Sequence, residues 1–171
     1  MKKRIAILLI VFLSISIVSC TKDVKKYNPV IDEINLLSKS EKKQLSENLI
    51  EFKKEFGSEI VILIIDSTHE QTILEYSIDM TDKMKIGRKG IYDGILITLA
   101  KDDRQVRIEV GYGLEKIVKD EIAGNIIRND MLPYFRNGEY YNGLLKAVIY
   151  LEKLITENQE LVGDLEGVLF Y

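Results

Sequence analysis

Ile60-Val61-Ile62-Leu63-Ile64-Ile65 is an unbroken run of apolar, mostly β-branched residues, bounded by Gly57-Ser58 on one side and Asp66-Ser67 on the other. β-Branched side chains suit a pleated strand and crowd a helix, and a strand without a polar face must be covered on both sides. The run therefore predicts a central strand sandwiched between helices and restricts the chain to an α/β arrangement. Ile95 to Leu99 is a second apolar strand of the same kind. Between the two, Ile73, Tyr76, Met80 and Met84 recur at helical spacing, so strand, helix and strand make a crossover unit with parallel strands.

The segment that follows has a different pattern. Val106, Ile108 and Val110 point to one face and Arg107 and Glu109 to the other, and the polar turn Lys101-Asp102-Asp103-Arg104 joins this alternating strand to its predecessor. A short turn implies an antiparallel hairpin, so the sheet is mixed. Upstream, Ser38 with Glu41 matches a capping box, Leu45, Leu49, Phe52 and Phe56 mark the buried stripe of one helix, and Gly57 suits its left-handed end. Downstream, one helical segment carries Ile122, Ile126, Ile127 and Met131 and is expected to stop near Pro133. Another carries Tyr141, Leu144, Leu145, Val148, Leu151 and Ile155. The expected fold is α/β: a three-layer α/β/α sandwich around a small mixed sheet, in one domain without internal repeats.

The front of the chain has another purpose. Lys2, Lys3 and Arg4 precede the apolar run Ile5 to Val18, which is short for a membrane span and fits an export signal. Ile17-Val18-Ser19-Cys20 resembles the bacterial lipobox, which makes residues 1–19 a lipoprotein signal peptide and Cys20 the point of lipid attachment, with residues 20–27 a tether. Acyl chains on Cys20 would hold the protein on a membrane surface, each buried methylene adding about 0.8 kcal/mol. Thr21 after the cysteine favours the outer membrane in a two-membrane cell. Removing residues 1–19 takes away three bases and no acid, leaving the 27 acidic residues further in excess. A negative chain without a basic stripe is not a nucleic-acid binder. With one Cys and one His in 171 residues, an intrachain disulfide, a zinc knuckle, a redox pair and a histidine-rich metal centre are excluded. A Ser-His-Asp triad would have to use His69, which sits in a polar stretch.

The hairpin geometry places the loop Gly90-Ile91-Tyr92-Asp93-Gly94 and the loop Gly111-Tyr112-Gly113-Leu114-Glu115 at one sheet edge, and Asp66 at the other. Asp93, Glu115 and Asp120 can then converge, with Gly94, Gly111, Tyr112 and Gly113 allowing close backbone approach. Paired carboxylates with loop carbonyls are the ligand set of a hard divalent cation. The same residues also admit a plainer account: Asp93-Gly94 as a turn, Glu115 as a solvated helix-start residue and Asp120 as an N-cap.

Several strings carry a family likeness: Ile86-Gly87-Arg88-Lys89-Gly90, Asp93-Gly94-Ile95-Leu96, Arg104-Gln105-Val106-Arg107-Ile108-Glu109, Gly111-Tyr112-Gly113-Leu114-Glu115, Asp120, and Pro133-Tyr134-Phe135-Arg136 with Gly138, Tyr140 and Gly143. The stretch resembles the TPM domain, named after thylakoid-lumen, photosystem II repair and membrane-associated members, over nearly all of residues 28–158, with residues 159–171 as a tail. The resemblance implies an α/β/α sandwich and an acidic loop-edge site that binds calcium in some relatives. It also implies a weak acid phosphatase activity, claimed for plant members. The matching positions here are Asp93, the Gly111 to Glu115 loop and Asp120. The chain departs from the family pattern at Tyr92, where an acidic or polar residue is common, and at Lys85, where tryptophan is common. The loss of one acidic ligand weakens divalent binding or moves it onto backbone oxygens. The expected function is an exported lipoprotein module for membrane-protein or envelope maintenance, binding calcium through Asp93, Glu115 and Asp120. Its rivals are a slow phosphatase on the same edge, in which Arg88 and Lys89 could meet a phosphate, and a metal-free module for an envelope or membrane-protein partner, with Tyr112, Tyr134, Tyr140 and Tyr141 as a contact patch.

Overall fold

A computed structural model of the protein describes residues 27–166. Residues 1–26, with the expected signal segment and Cys20, lie outside the described residues, as do residues 167–171. The elements run β1 (Val30–Asp32), α1 (Lys39–Phe56), β2 (Glu59–Ile65), α2 (Ile73–Met84), β3 (Gly94–Ala100), β4 (Gln105–Val110), a 3-10 turn (Tyr112–Leu114), α3 (Asp120–Ile126), a π-helical turn (Ile127–Met131), α4 (Leu132–Arg136), α5 (Tyr140–Glu157) and a second 3-10 turn (Gln159–Leu161). No helix among the described residues is long and apolar enough to cross a membrane.

The four strands lie in the order β1-β2-β3-β4, with β1 and β3 parallel to β2 and β4 antiparallel to β3. Strand alternation divides the apolar runs between two layers. Ile60, Ile62, Ile64, Ile95, Ile97, Leu99 and Ile108 face one way and pack with Leu45 and Leu49 of α1, Ala123 of α3 and Leu144, Val148 and Leu151 of α5. Val61, Leu63, Ile65, Leu96 and Ala100 face the other way and meet Ile73, Tyr76, Met80 and Met84 of α2. Both faces of β2 and β3 are buried along their full length. Each fully buried isoleucine or leucine stabilises the fold by roughly 1.5–3 kcal/mol relative to exposure. The polar exceptions are Glu59 at the head of β2 and, in the middle of β3, Thr98, whose hydroxyl accepts from Ser77 Oγ of α2 at 3.0 Å. The pair satisfies both buried hydroxyls.

Local signals set the element ends. Ser38 and Glu41 form the expected reciprocal capping box, as do Thr72 and Glu75 at the start of α2. Gly57 closes α1 at φ +83°, a backbone region costly for any residue with a Cβ. Two expectations need correction. Pro133 does not stop a helix: the chain continues through the π-helical turn into α4, with Pro133 in the first turn of α4, where its missing N–H is tolerated. The sheet also has a strand that periodicity did not show. β1 is only three residues long, and its neighbours are polar. It is fixed by parallel pairing with Ile62 to Ile64 of β2 and by Asp32, whose carboxylate accepts from the N–H groups of Leu36 and Leu37.

Both flanks of the domain are tied to it. Lys53 Nζ sits 4.0 Å from the centre of the Tyr27 ring. Beyond α5, the N–H of Gly163 donates to the Gly113 carbonyl at 2.8 Å, and Lys116 pairs with Asp164 at 2.7 Å.

Candidate functional site

The loop before β3 and the loop after β4 meet at one sheet edge because their strands are antiparallel neighbours. The N–H of Gly111 donates to the Gly94 carbonyl at 2.8 Å, and that of Gly113 to the Tyr92 carbonyl at 3.0 Å. A Cβ on Gly113 would collide with the carbonyl oxygen of Ile91, so the two loops approach this closely only with glycine there. The Tyr92 and Tyr112 rings meet edge to face at 6.3 Å. Asp66 lies at the opposite edge, where its carbonyl accepts from the N–H of Asp102. There the Thr68 N–H and the Ser67 hydroxyl donate to Asp103 and hold its carboxyl below the usual carboxylate range.

Asp93 is wholly buried, and both of its carboxylate oxygens are engaged. Oδ1 accepts from the backbone N–H of Arg88 at 2.8 Å. Oδ2 accepts from Arg88 Nε at 2.8 Å, Arg88 Nη2 at 2.6 Å and Ser58 Oγ at 3.2 Å. Backbone, guanidinium and hydroxyl donors together suit a buried carboxylate better than any single partner. Gly57 belongs to the same arrangement: a Cβ there would lie 2.7 Å from the guanidinium carbon of Arg88. Next to it, the buried carboxylate of Glu59 accepts from the N–H of Gly87 at 2.9 Å and from Lys53 Nζ at 2.9 Å. The loop from Gly87 to Asp93 is therefore clamped by two acids beneath it. Asp93 as a cation ligand would have to give up Arg88.

Above that floor, a cleft of about 540 Å³ opens between the C-terminal end of α2 and the end of β4. It is lined by the bases Lys85, Arg88 and Lys89, by the acids Asp82, Glu109 and Glu115, and by Tyr92 and Tyr112. Partial burial, then the charges of Asp120 and Glu109, push the Glu115 acid above the usual carboxylate range. Glu115 is exposed as a whole, so solvent screens much of this effect. Asp120, the first residue of α3, lines a separate depression with Arg107 and Ile108. The three candidate acids thus divide. Glu115 and Asp120 are neighbours within electrostatic reach, while Asp93 is committed below. Among the described residues, no three acidic, His or Cys side chains converge as a metal cage. A cation here would draw on Glu115 and Asp120 with backbone oxygens.

The cleft wall carries no Ser, Cys or His, and its one hydroxyl-bearing aliphatic residue, Thr81, donates to the Ser77 carbonyl at 2.9 Å. The titratable groups of the wall are carboxylates, amines, a guanidinium and phenols, a lining that suits binding of a polar ligand. Tyr134, Tyr140 and Tyr141 are engaged on the helices: Lys146 stacks over Tyr134, Tyr140 packs on Phe135, and the Tyr141 hydroxyl donates to Gln44. Sequence reasoning missed Ser58 and Glu59 as supports of the loop. A charged residue at the very head of an apolar strand is the signal that could have found Glu59.

The TPM domain matches residues 30–154 of the chain. No curated protein matches it. Among solved structures, the chain is similar to the N-terminal domain of a protein from P. gingivalis, with 26% identity and a TM-score of 0.72 over 80% of this chain and 87% of that one. It is also similar to the BA42 protein of the psychrophilic bacterium Bizionia argentinensis, with 20% identity and a TM-score of 0.63 over 74% and 86%. For the N-terminal domain of the cg2496 protein from Corynebacterium glutamicum the values are 14% and 0.56, over 81% and 80%. The last two likenesses concern the fold alone.

Asp93→Ala leaves the buried ends of Arg88 and Ser58 unpartnered. The expected loss of stability is on the order of 2–3 kcal/mol, below that of a fully buried pair because Arg88 reaches solvent. Urea unfolding measures it, and amide exchange in residues 87–92 should quicken. A variant as stable as the parent, with unchanged exchange, would show that the clamp does not hold the loop.

Proposed function

The chain belongs to the TPM domain family, and we propose that it is a lipid-anchored binding module of the bacterial envelope, whose acidic cleft end takes a divalent cation, calcium for preference. The observation that carries this reading is Glu115, exposed at the cleft after β4 with the charges of Asp120 and Glu109 close enough to raise its acid, while Glu109 is itself paired with Arg107 at 2.6 Å. Oxygen ligands of that kind suit a hard cation, and flexible coordination completed by loop carbonyls and water suits calcium better than magnesium. When bound, calcium would supply positive charge that relieves the crowding. Glu115 and Asp120 would hold it, and Asp93 would keep the loop in position without touching it. Bound at a membrane surface, such a module would serve the upkeep of membrane or envelope proteins.

Calorimetric titration of residues 21–171 with calcium tests the cation. Heat should appear with the parent, vanish with Glu115→Ala and weaken with Asp120→Ala. Proton competition at Glu115 should begin at a higher pH than for an ordinary carboxylate, so affinity should fall as pH is lowered. No heat with the parent, or heat unaffected by Glu115→Ala, would end the cation reading.

The anchor rests on the basic start, the apolar run and the lipobox-like tetrapeptide ending in Cys20. Replacing Cys20 by Ser should release the protein from the membrane fraction of its host. Continued retention would contradict lipid attachment.

A second reading, slow phosphomonoester hydrolysis, is favoured by Lys85, Arg88 and Lys89 in the lining of the cleft. Cationic side chains stabilise a transferring phosphoryl group. Turnover of a phosphate ester that survives further purification and disappears with Lys85→Ala or Lys89→Ala would establish it in place of simple binding.

A further inference from the structure

β4 is an edge strand: among the described residues no strand pairs with its outer side, and its residues are partly exposed except Ile108 in the middle, which is 4% exposed. Gly111 donates to Gly94 across the hairpin, and the register pairs Leu96 with Glu109 and Thr98 with Arg107. In an antiparallel ladder the paired residues alternate between exchanging hydrogen bonds and pointing them outward. Arg107, Glu109 and Gly111 therefore bond to β3, while Val106, Ile108 and Val110 turn their N–H and C=O groups away from the sheet. Among the described residues these outward groups have no hydrogen-bond partner. Room beside them is provided by a depression of about 330 Å³ along Val106 to Ile108, continued by the main cleft along Glu109 to Tyr112.

We propose that the open edge of β4 pairs antiparallel with β4 of a second copy of this chain, making one continuous sheet across a two-fold dimer. The strand Val106-Arg107-Ile108-Glu109-Val110 is self-complementary about Ile108. Antiparallel pairing of two copies centred there sets Ile108 against Ile108 and Val106 against Val110, and these are the residues whose backbone groups face outward. Each such pair can exchange both of its N–H···O=C bonds. The same register places Arg107 opposite Glu109 of the second copy, twice, at the closer non-bonded positions, where opposite charges attract. Charged residues on an edge strand ordinarily discourage pairing. Here the signs alternate so that two identical edges meet plus to minus, and a shift by one pair would set like charges together. The apolar surface agrees. Ile73 and Ile78 of α2 line the two depressions beside β4, Leu74 lies one turn from Ile78, and Leu74 and Ile78 are 44% and 43% exposed. A neighbouring copy would cover them. An isologous contact of this kind closes on itself and does not propagate into a filament.

Sedimentation of the full-length chain in excess density-matched detergent tests the pairing through a charge swap between chains. The parent should pass with rising concentration from the 19.7 kDa monomer to twice that mass. Arg107→Glu and Glu109→Arg should each stay monomeric, because like charges then face each other across the seam. An equimolar mixture of the two variants should recover the dimer, since each supplies the charge the other lacks. No contact within one chain predicts that recovery. A parent that remains monomeric at its solubility limit, variants that dimerise as the parent does, or a mixture that stays monomeric would each overturn the proposal. Amide exchange in the parent gives a readout independent of any variant's folding. The amides of Val106, Ile108 and Val110 should become protected as concentration rises, and protection that does not change with concentration would count against the dimer.

Discussion

The buried contact between Asp93 and Arg88 is the constraint on which the functional edge depends. A carboxylate removed from water must be supplied with donors, and this one receives a backbone N–H, a bidentate guanidinium and the hydroxyl of Ser58. Those donors come from the loop and from the head of β2, so satisfying the charge fixes the loop against the sheet. Gly57 suits this arrangement by its φ of +83°, and a Cβ there would press on the guanidinium that Asp93 holds. Glu59 repeats the device one residue along, tying Gly87 to β2 and Lys53 of α1.

The clamp separates two kinds of acid at one edge. Asp93 and Glu59 are structural, buried or nearly so, and matched with donors. Glu109 and Glu115 line the cleft together with Lys85 and Lys89, Asp120 lines the depression beside it, and the charges of Asp120 and Glu109 bear on Glu115. A rigid floor with an exposed acid, Glu115, above it is the arrangement of a binding site, because ligand charge can replace solvent without moving the backbone. The edge strand β4 follows the same logic on a larger scale: its inner hydrogen bonds hold the sheet, and its outer ones are left for a neighbour.

Much of this fold was legible in the sequence. The apolar runs at Ile60 and Ile95 announced doubly covered strands, the alternation from Val106 to Val110 announced the hairpin, and Ser38 with Glu41 announced a helix start. The convergence of the two glycine-bearing loops followed from strand direction alone. What was not legible depended on tertiary partners. β1 is too short to show a period and exists because β2 offers it an edge. Pro133 reads as a stop, yet the π-helical turn before it lets the helix continue. The candidate acids looked equivalent as carboxylates in loops, and only packing distinguishes Asp93, whose partners Ser58 and Arg88 lie on separate segments, from Glu115 and Asp120, whose neighbours are other acids.

Chemical-shift mapping of a calcium titration tests this division of labour most directly. The amides of Gly111 to Glu115 and of Asp120 should move with added calcium, while the amide of Arg88, held on Asp93, stays where it is. Shifts centred on Arg88 and Asp93, or no localised shifts at all, would contradict the assignment of Asp93 to the clamp and of Glu115 and Asp120 to the ligand.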